Sequence, residues 1–290
     1  MATIGQWIEG ARPRTFPNAI APVLAGAGAA AYLDGFSWLH SALALVVALA
    51  LIVGVNYAND YSDGVRGTDD DRVGPLRLVG SRTAQPKEVR AAALSSFLFA
   101  GIAGLTLIII SGHWWLLAVG AACLAGAWFY TGGRRPYGYA GFGEVAVFLF
   151  FGLIAVLGTV YIQADTIGWL PLGCAVAIGS FSAAVLLTNN LRDIGTDTEA
   201  GKRTLAVRLG DTGTRRLYFA LLSVPFLVTI LLGIAFPPAL FGVLAAPAAI
   251  SPARIVARRA TGRALIPVLR DTGLVMLLWA AITAIVLATS

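Results

Sequence analysis

The chain has 290 residues, of which 58% are hydrophobic and 12% charged, with a mean hydropathy of +0.78. Soluble domains carry about 25% charged residues, so an ordinary soluble fold is excluded and a membrane protein that crosses the bilayer many times is indicated. The net charge of +6 reads as a topology signal, not as a nucleic-acid footprint, and no nucleic-acid partner is expected.

Nine apolar segments follow one another, each near the roughly 20 residues that a bilayer span requires. They cover about 16–33, 38–59, 89–111, 114–131, 142–162, 167–190, 216–235, 238–257 and 268–289. The eighth is the weakest, because it contains Pro247 and Pro252 and ends among arginines. No linker of Gly, Ser or Pro interrupts the chain, so residues 1–290 are expected to form one all-α bundle of nine transmembrane helices; the resemblance described below implies that they surround a central cavity. The N-terminal stretch has no h-region and reads as an interfacial lead-in, not a signal peptide. Cys123 and Cys174 lie inside apolar runs without CxxC spacing, so neither a disulfide framework nor a zinc site is supported.

The loop charges test this count. Lys and Arg residues fall before the first segment and after the second, fourth, sixth and eighth, and these five regions hold all 21 of them. The other loops hold none. By the positive-inside rule the N-terminus is cytoplasmic and the C-terminus outside, in the inner or plasma membrane. Arginines beyond those the site uses are expected to contact anionic lipid headgroups.

Two acidic stretches lie on the expected cytoplasmic face. The first runs from Asn56 to Asp71 and holds two amides, five carboxylates and one arginine. Acids this close to hydrocarbon are costly and mark functional sites. On a helix Asn56, Asp60 and Asp63 sit at i, i+4 and i+7, one stripe. Asn189, Asp193 and Asp197 repeat the device at i, i+4 and i+8. Each stripe offers an amide oxygen and two carboxylates, hard donors that suit Mg²⁺ shared with substrate phosphates. Arg72, Arg77, Arg134, Arg135, Lys202 and Arg203 share this face and can grip a diphosphate. Tyr130 and Tyr139 flank the Arg134-Arg135 loop as candidates for diphosphate or ring contact, with interfacial anchoring an equal reading. His40 and His113 lie on the opposite face and are given no catalytic role. Segments one to four and five to eight invite reading as related halves, each with its acidic motif after the second helix.

With ARPRTFPNAIAPVLAG at 11–26, NYANDYSDGVRGTDDDRVGPLRLVGS at 56–81, YTGGRRPYGYAGFGEVAVFLFFGLIAVLGTVYIQ at 130–163, NNLRDIGTDTEAGKRTLAVRLG at 189–210 and LIPVLRDTG at 265–273, the chain resembles the UbiA superfamily of intramembrane prenyltransferases, in particular its naphthoate-prenylating branch. The superfamily's first motif, NDxxDxxxD, appears as Asn59-Asp60-x-x-Asp63-x-x-x-Gly67, with Gly in place of the last acid and Asp69 two residues later. The second motif, DxxxD, is intact at Asp193 and Asp197. Glu144 stands where much of the branch carries Asp. The resemblance implies Mg²⁺ dependence, a polyprenyl diphosphate donor, and 1,4-dihydroxy-2-naphthoate as acceptor, with loss of CO₂ to give demethylmenaquinone. It implies catalytic roles for Asp60, Asp63, Asp193 and Asp197, with Asn56 and Asn189 as further metal ligands. Substrate contacts then fall to Asn56, Asn59, Asp69, Arg72, Arg77, Tyr130, Arg134, Tyr139, Asn189 and Lys202. Other superfamily branches, with hydroxybenzoate or homogentisate as acceptor, stay open at this point. So does a transporter that uses the carboxylates as ion sites. A CDP-alcohol phosphotransferase fits poorly, since Gly67 and Thr68 stand where its motif needs Ala-Arg.

Overall fold

The computed structural model describes residues 2–68 and 76–290. Among them the architecture is all-helical. A short helix α1 (Ile4–Ala11) leads into α2 (Pro17–Tyr32), α3 (Trp38–Arg66), α4 (Pro86–Ser111) and α5 (Leu116–Phe129). Helix α6 (Gly143–Ala164) opens as an α-turn, widens into a π-helical stretch over Phe148–Ile154 and returns to α-helix. Then come α7 (Trp169–Arg192), the short α8 (Ile194–Glu199), α9 (Leu205–Ala235), α10 (Ala246–Ala257) and α11 (Ile266–Ala288).

Among the described residues, seven helical stretches are long and apolar enough to cross a membrane. The two expected spans outside that set are α2, at 16 residues, and α5, at 14. At 1.5 Å per residue they reach about 24 and 21 Å, short of the roughly 30 Å hydrocarbon core. Three further departures from the sequence pattern have local causes. The eighth segment begins as a 3₁₀ stretch, Pro237–Ala245, opened by two prolines. Helix α9 is two pieces joined at Gly210, whose φ of 66° no helix accommodates. The second acidic stripe is not carried by one helix, because α7 stops at Arg192 and Asp193 caps it with φ −99° and ψ 9°.

Small residues bring the helices together, as expected where lipid supplies no hydrophobic drive between them. A Cβ on Gly28 would lie 2.4 Å from the Ala284 Cα, which locks α2 against α11. One on Gly152 would lie 2.5 Å from the Gly179 Cα, which locks α6 against α7. The main core joins α2, α6, α7, α9 and α11 around Phe181, Tyr218, Met276 and Trp279. By contrast α5 has no buried residue and stands at the edge.

The connections gather into two sets. Arg66 at the end of α3 donates to the carbonyls of Thr131 and Gly133 after α5. The Arg203 N–H donates to Tyr139 O at 2.9 Å, joining the α8–α9 connection to the α5–α6 loop. At the other end, Ser37 N–H donates to Gln163 Oε1 at 2.8 Å, and His113 meets Asp165 at 3.0 Å. The arginine-bearing loops thus touch one another, and the loops without Lys or Arg do the same.

Candidate active site

A cavity of about 650 Å³ opens among α2, α3, α4, α5, α6 and α7. Its walls are mostly apolar. One end is polar and receives both acidic stretches together with Arg12, Thr15, Arg77, Tyr139 and Lys202.

Helix α3 supplies the first set. It runs on from its apolar span to Arg66 and ends at Gly67, whose φ of 71° lets its N–H reach back to the Asp63 and Gly64 carbonyls. Gly is favoured there because a Cβ is strained in the left-handed region. This is a backbone reason for Gly at the position where the family pattern has an acid. Asn56 gives its amide hydrogens to Ala11 O (2.9 Å) and Thr15 Oγ1 (3.0 Å). Its oxygen is the end turned away from those partners. Asn59 Oδ1 accepts from Thr131 Oγ1 at 2.8 Å.

The four expected catalytic carboxylates fall into two kinds. Asp60 does not line the cavity. Its two oxygens accept from the backbone N–H groups of Leu78 (2.7 Å) and Val79 (3.1 Å), so it anchors the turn that precedes α4. Asp193 is gripped at both oxygens by Arg192, at 2.6 Å each, and the same guanidinium reaches Asn189 Oδ1 at 3.0 Å. Arg192 and Asp193 side chains are only 2% and 5% exposed. A buried bidentate pair of this kind compensates two charges that would each be costly alone.

Asp63 and Asp197 behave differently. The Lys202 ammonium lies 3.8 Å from Asp63 and 3.7 Å from Asp197, so the second acids of the two motifs meet on one cation. Arg77 approaches Asp63 at 3.4 Å. Lys202 is brought there by Gly201, whose φ of 71° turns the chain back after α8, so that the Lys202 N–H donates to Asp197 O at 2.8 Å. Tyr139 completes the cage. Its hydroxyl donates to Asp63, and the Lys202 ammonium and the Arg66 guanidinium lie 4.7 Å and 5.4 Å from its ring centre. These are cation–π distances. Burial first, and the Asp63 charge second, hold the Tyr139 phenol above its ordinary range, so at neutral pH it stays protonated and able to donate. Burial also pushes neighbouring Tyr137 up to about 12.

The cavity therefore collects Asn56, Asn59, Asp63, Arg77, Tyr130, Tyr139, Asn189, Asp193, Asp197 and Lys202. It does not collect Asp60, nor Arg134, which is exposed. Asp69 and Arg72 lie outside the described residues. Sequence reasoning missed Arg12, Thr15, Arg66, Thr131, Arg192 and the buried pair in which Asn190 donates to Glu144 at 2.8 Å. Arg12, Arg66 and Arg192 were visible only as loop charges, and no local spacing marks Thr131.

Among the described residues no three of His, Cys, Asp and Glu converge to hold a metal by themselves. The donor set nevertheless fits Mg²⁺, which commonly takes one or two protein carboxylates and completes its shell with water and substrate phosphates. Asp63 and Asp197 already share a cation in Lys202.

A mostly apolar helical wall around a cage of acids and bases fits a membrane enzyme that acts on a charged head with an apolar tail. The chain belongs to the UbiA prenyltransferase family, whose model matches residues 19–280. It is 60% identical over 288 residues, 99% of this chain and 98% of the relative, to a Mycobacterium tuberculosis protein named 1,4-dihydroxy-2-naphthoate octaprenyltransferase. An Escherichia coli protein of the same name is 38% identical over 275 residues, 92% of this chain and 89% of the relative. The fold matches that of a UbiA homolog from Archaeoglobus fulgidus bound to GPP and Mg²⁺, with a TM-score of 0.69 at 13% identity, over 98% of this chain and all of the other.

Proposed function

We infer that the protein transfers a polyprenyl group from polyprenyl diphosphate to 1,4-dihydroxy-2-naphthoate, releasing diphosphate and CO₂ and forming demethylmenaquinone. The observation that carries this reading is the meeting of Asp63 and Asp197 on Lys202 at the polar end of an otherwise apolar cavity. The 60% identity to a relative named for this reaction selects the naphthoate acceptor.

The donor's diphosphate enters the cage, where Lys202 and Arg77 neutralise its negative charge. Asp63 and Asp197 would hold Mg²⁺, which when bound stabilises the charge that grows on the leaving diphosphate. Tyr139 keeps Asp63 oriented by hydrogen bonding. Asp193 and Asp60 act as positioning residues, one holding the end of α7 and the other the turn before α4. When the allylic C–O bond breaks, the electron pair leaves with diphosphate and an allylic cation remains. Phe150, Phe151 and Leu124 line the cavity and keep out the water that would trap the cation as an alcohol. The electron-rich naphthoate carbon that bears the carboxylate attacks, a C–C bond forms, and loss of CO₂ restores the aromatic ring.

Nine spans with a cytoplasmic N-terminus and an external C-terminus accord with this chemistry. The segregation of all 21 Lys and Arg residues, with the contacts among the loops that bear them, supports this orientation and a cytoplasm-facing cage. The test is prenylation of 1,4-dihydroxy-2-naphthoate by the purified protein, read by mass spectrometry with and without EDTA. A decarboxylated prenyl-naphthoquinol that disappears in the chelator is expected. No product from this acceptor, or full turnover in EDTA, overturns the reading.

A further inference from the structure

The first turn of α6 carries a buried acid that the chemistry above leaves unused. Glu144 is 5% exposed and does not line the cavity. Its Oε1 accepts from the Asn190 amide of α7 at 2.8 Å. Its Oε2 is enclosed, with no hydrogen-bond partner among the described residues. Beside it stands Gly143, where a Cβ would come 3.2 Å from the Tyr130 hydroxyl. Tyr130, Glu144 and Asn190 thus gather at the start of α6, and Tyr130 and Asn190 line the cavity.

As a fastener between helices this pair is costly, because an enclosed polar oxygen without a partner carries its full desolvation penalty. Helix α6 is already locked to α7 where Gly152 meets Gly179. What the pair does fix is the direction of an amide. A carboxylate only accepts hydrogen bonds, so the Asn190 nitrogen faces Glu144 and its Oδ1 is the end turned away. That oxygen accepts no hydrogen bond among the described residues, and it is not one of the enclosed atoms. The neighbouring amide is different, since Arg192 takes Asn189 Oδ1 at 3.0 Å. Of two adjacent amides that line the cavity, one oxygen is occupied and the other is open.

An oxygen that can only accept selects what it binds. Ionised polyprenyl diphosphate has no hydrogen-bond donor, whereas the naphthoate has two, its ring hydroxyls. We propose that Asn190 Oδ1 accepts a hydrogen bond from a ring hydroxyl of the aromatic acceptor, and that Glu144 is the positioning residue that keeps this oxygen turned toward it. This rests on the reading of the cage as a site of naphthoate prenylation. Asn190 precedes Asp193 by one helical turn, so a ring held there lies beside the cage. An acceptor without the hydroxyl leaves Oδ1 unpaired and is rejected for that reason.

The experiment uses the full-length protein in lipid nanodiscs, with geranyl diphosphate as donor. The acceptors are 1,4-dihydroxy-2-naphthoate and its two monohydroxy analogues, 1-hydroxy-2-naphthoate and 4-hydroxy-2-naphthoate. Glu144→Gln keeps the shape of the side chain but adds amide hydrogens, which can turn Asn190 around. Its KM for the dihydroxy acceptor is expected to rise at least about tenfold, with the KM for the diphosphate within twofold of wild type. Its preference for the dihydroxy acceptor over one of the analogues, measured as a ratio of kcat/KM values, should shrink by at least about tenfold (roughly 1.4 kcal/mol). Asn190→Ala should lose the same preference, and the double variant should lose no more. Glu144→Asp, which keeps a carboxylate, should stay nearer wild type than Glu144→Gln on both readouts. Preference ratios within twofold of wild type for both analogues, whatever happens to kcat, leave Glu144 a merely structural acid and overturn the proposal. A shift in the diphosphate KM or the Mg²⁺ requirement instead would make Asn190 part of the cage and overturns it too. A wild-type protein that prenylates no naphthoate overturns the functional reading and this contact with it, whereas an active wild type with unmoved ratios in the variants overturns this contact alone.

Discussion

The two acidic stretches read as copies in the sequence but divide their labour by position in the motif. In each, the first acid is committed to holding the chain. Asp60 takes two backbone N–H groups of the turn before α4, and Asp193 takes the guanidinium of Arg192. In each, the second acid faces the cavity, and the two meet on Lys202. The copies differ in what the first acid holds. Asp60 ties down a turn 18 residues away and stands outside the cavity, whereas Asp193 pairs with its own neighbour and lines it. On the proposed function, Asp63 and Asp197 are the working acids, and Asp60 and Asp193 hold the chain around them.

Substitutions should separate the two kinds. Asp63→Ala and Asp197→Ala should each lower the rate of product formation by about 10²–10³-fold, the size of losing one preorganised electrostatic group. The double variant should lose much less than the product of the two, because the acids act as a unit on one cation. Multiplicative losses would show that Asp63 and Asp197 do not share a site. Asp193→Ala should act through stability. It leaves Arg192 as a buried, uncompensated charge, a loss of about 3–5 kcal/mol that a melting curve detects. Removing both charges, as Arg192→Leu with Asp193→Leu, should recover most of that stability and, with it, part of the activity. Asp60→Ala strands two buried N–H groups at about 1–3 kcal/mol each, and hydrogen exchange should rise first at Leu78 and Val79. Unchanged protection there would remove Asp60 from its anchoring role.

How much of this was legible follows from the range of each signal. The helical period is local, so the spacing of Asn56 and Asp63, and of Asn189 and Asp197, was enough to bring those residues to one face. Lys202 was legible by charge and proximity. The partners of Asp60 were not, because backbone N–H groups carry no side-chain signature and every residue but proline has one. Arg192 and Arg66 were read as topology charges, since nothing in a sequence distinguishes an arginine that folds back onto its helix end from one that faces lipid headgroups. The stop at Asp193 was hidden for the opposite reason: the Asn189-x-x-x-Asp193-x-x-x-Asp197 repeat fits a continuous helix, and the chain keeps nearly helical hydrogen bonds through the break, with Asp197 N–H on Asp193 O at 2.8 Å. Helices α2 and α5 are shorter than the apolar runs that hold them, because apolar flanking residues extend the pattern beyond the helix ends.

The smallest expected effect tests how far the likeness between the motifs extends. Four residues after each second acid stands a glycine in the left-handed region, Gly67 after Asp63 and Gly201 after Asp197, both with φ 71°. Gly67 ends α3; Gly201 turns Lys202 back toward both acids. Alanine at either site should cost about 1 kcal/mol of stability, because a Cβ is strained at positive φ. At Gly201 that strain is the whole steric cost, since a Cβ there would meet nothing within 4 Å. The two variants should part in activity. Gly201→Ala relieves its strain by shifting the turn that carries Lys202, so its rate should fall several-fold more than that of Gly67→Ala at similar stability. Asparagine, which tolerates the left-handed region, should restore much of the rate at Gly201. Equal activity losses in both alanine variants, or no rescue by asparagine, would mean that the turn at Gly201 does not position Lys202.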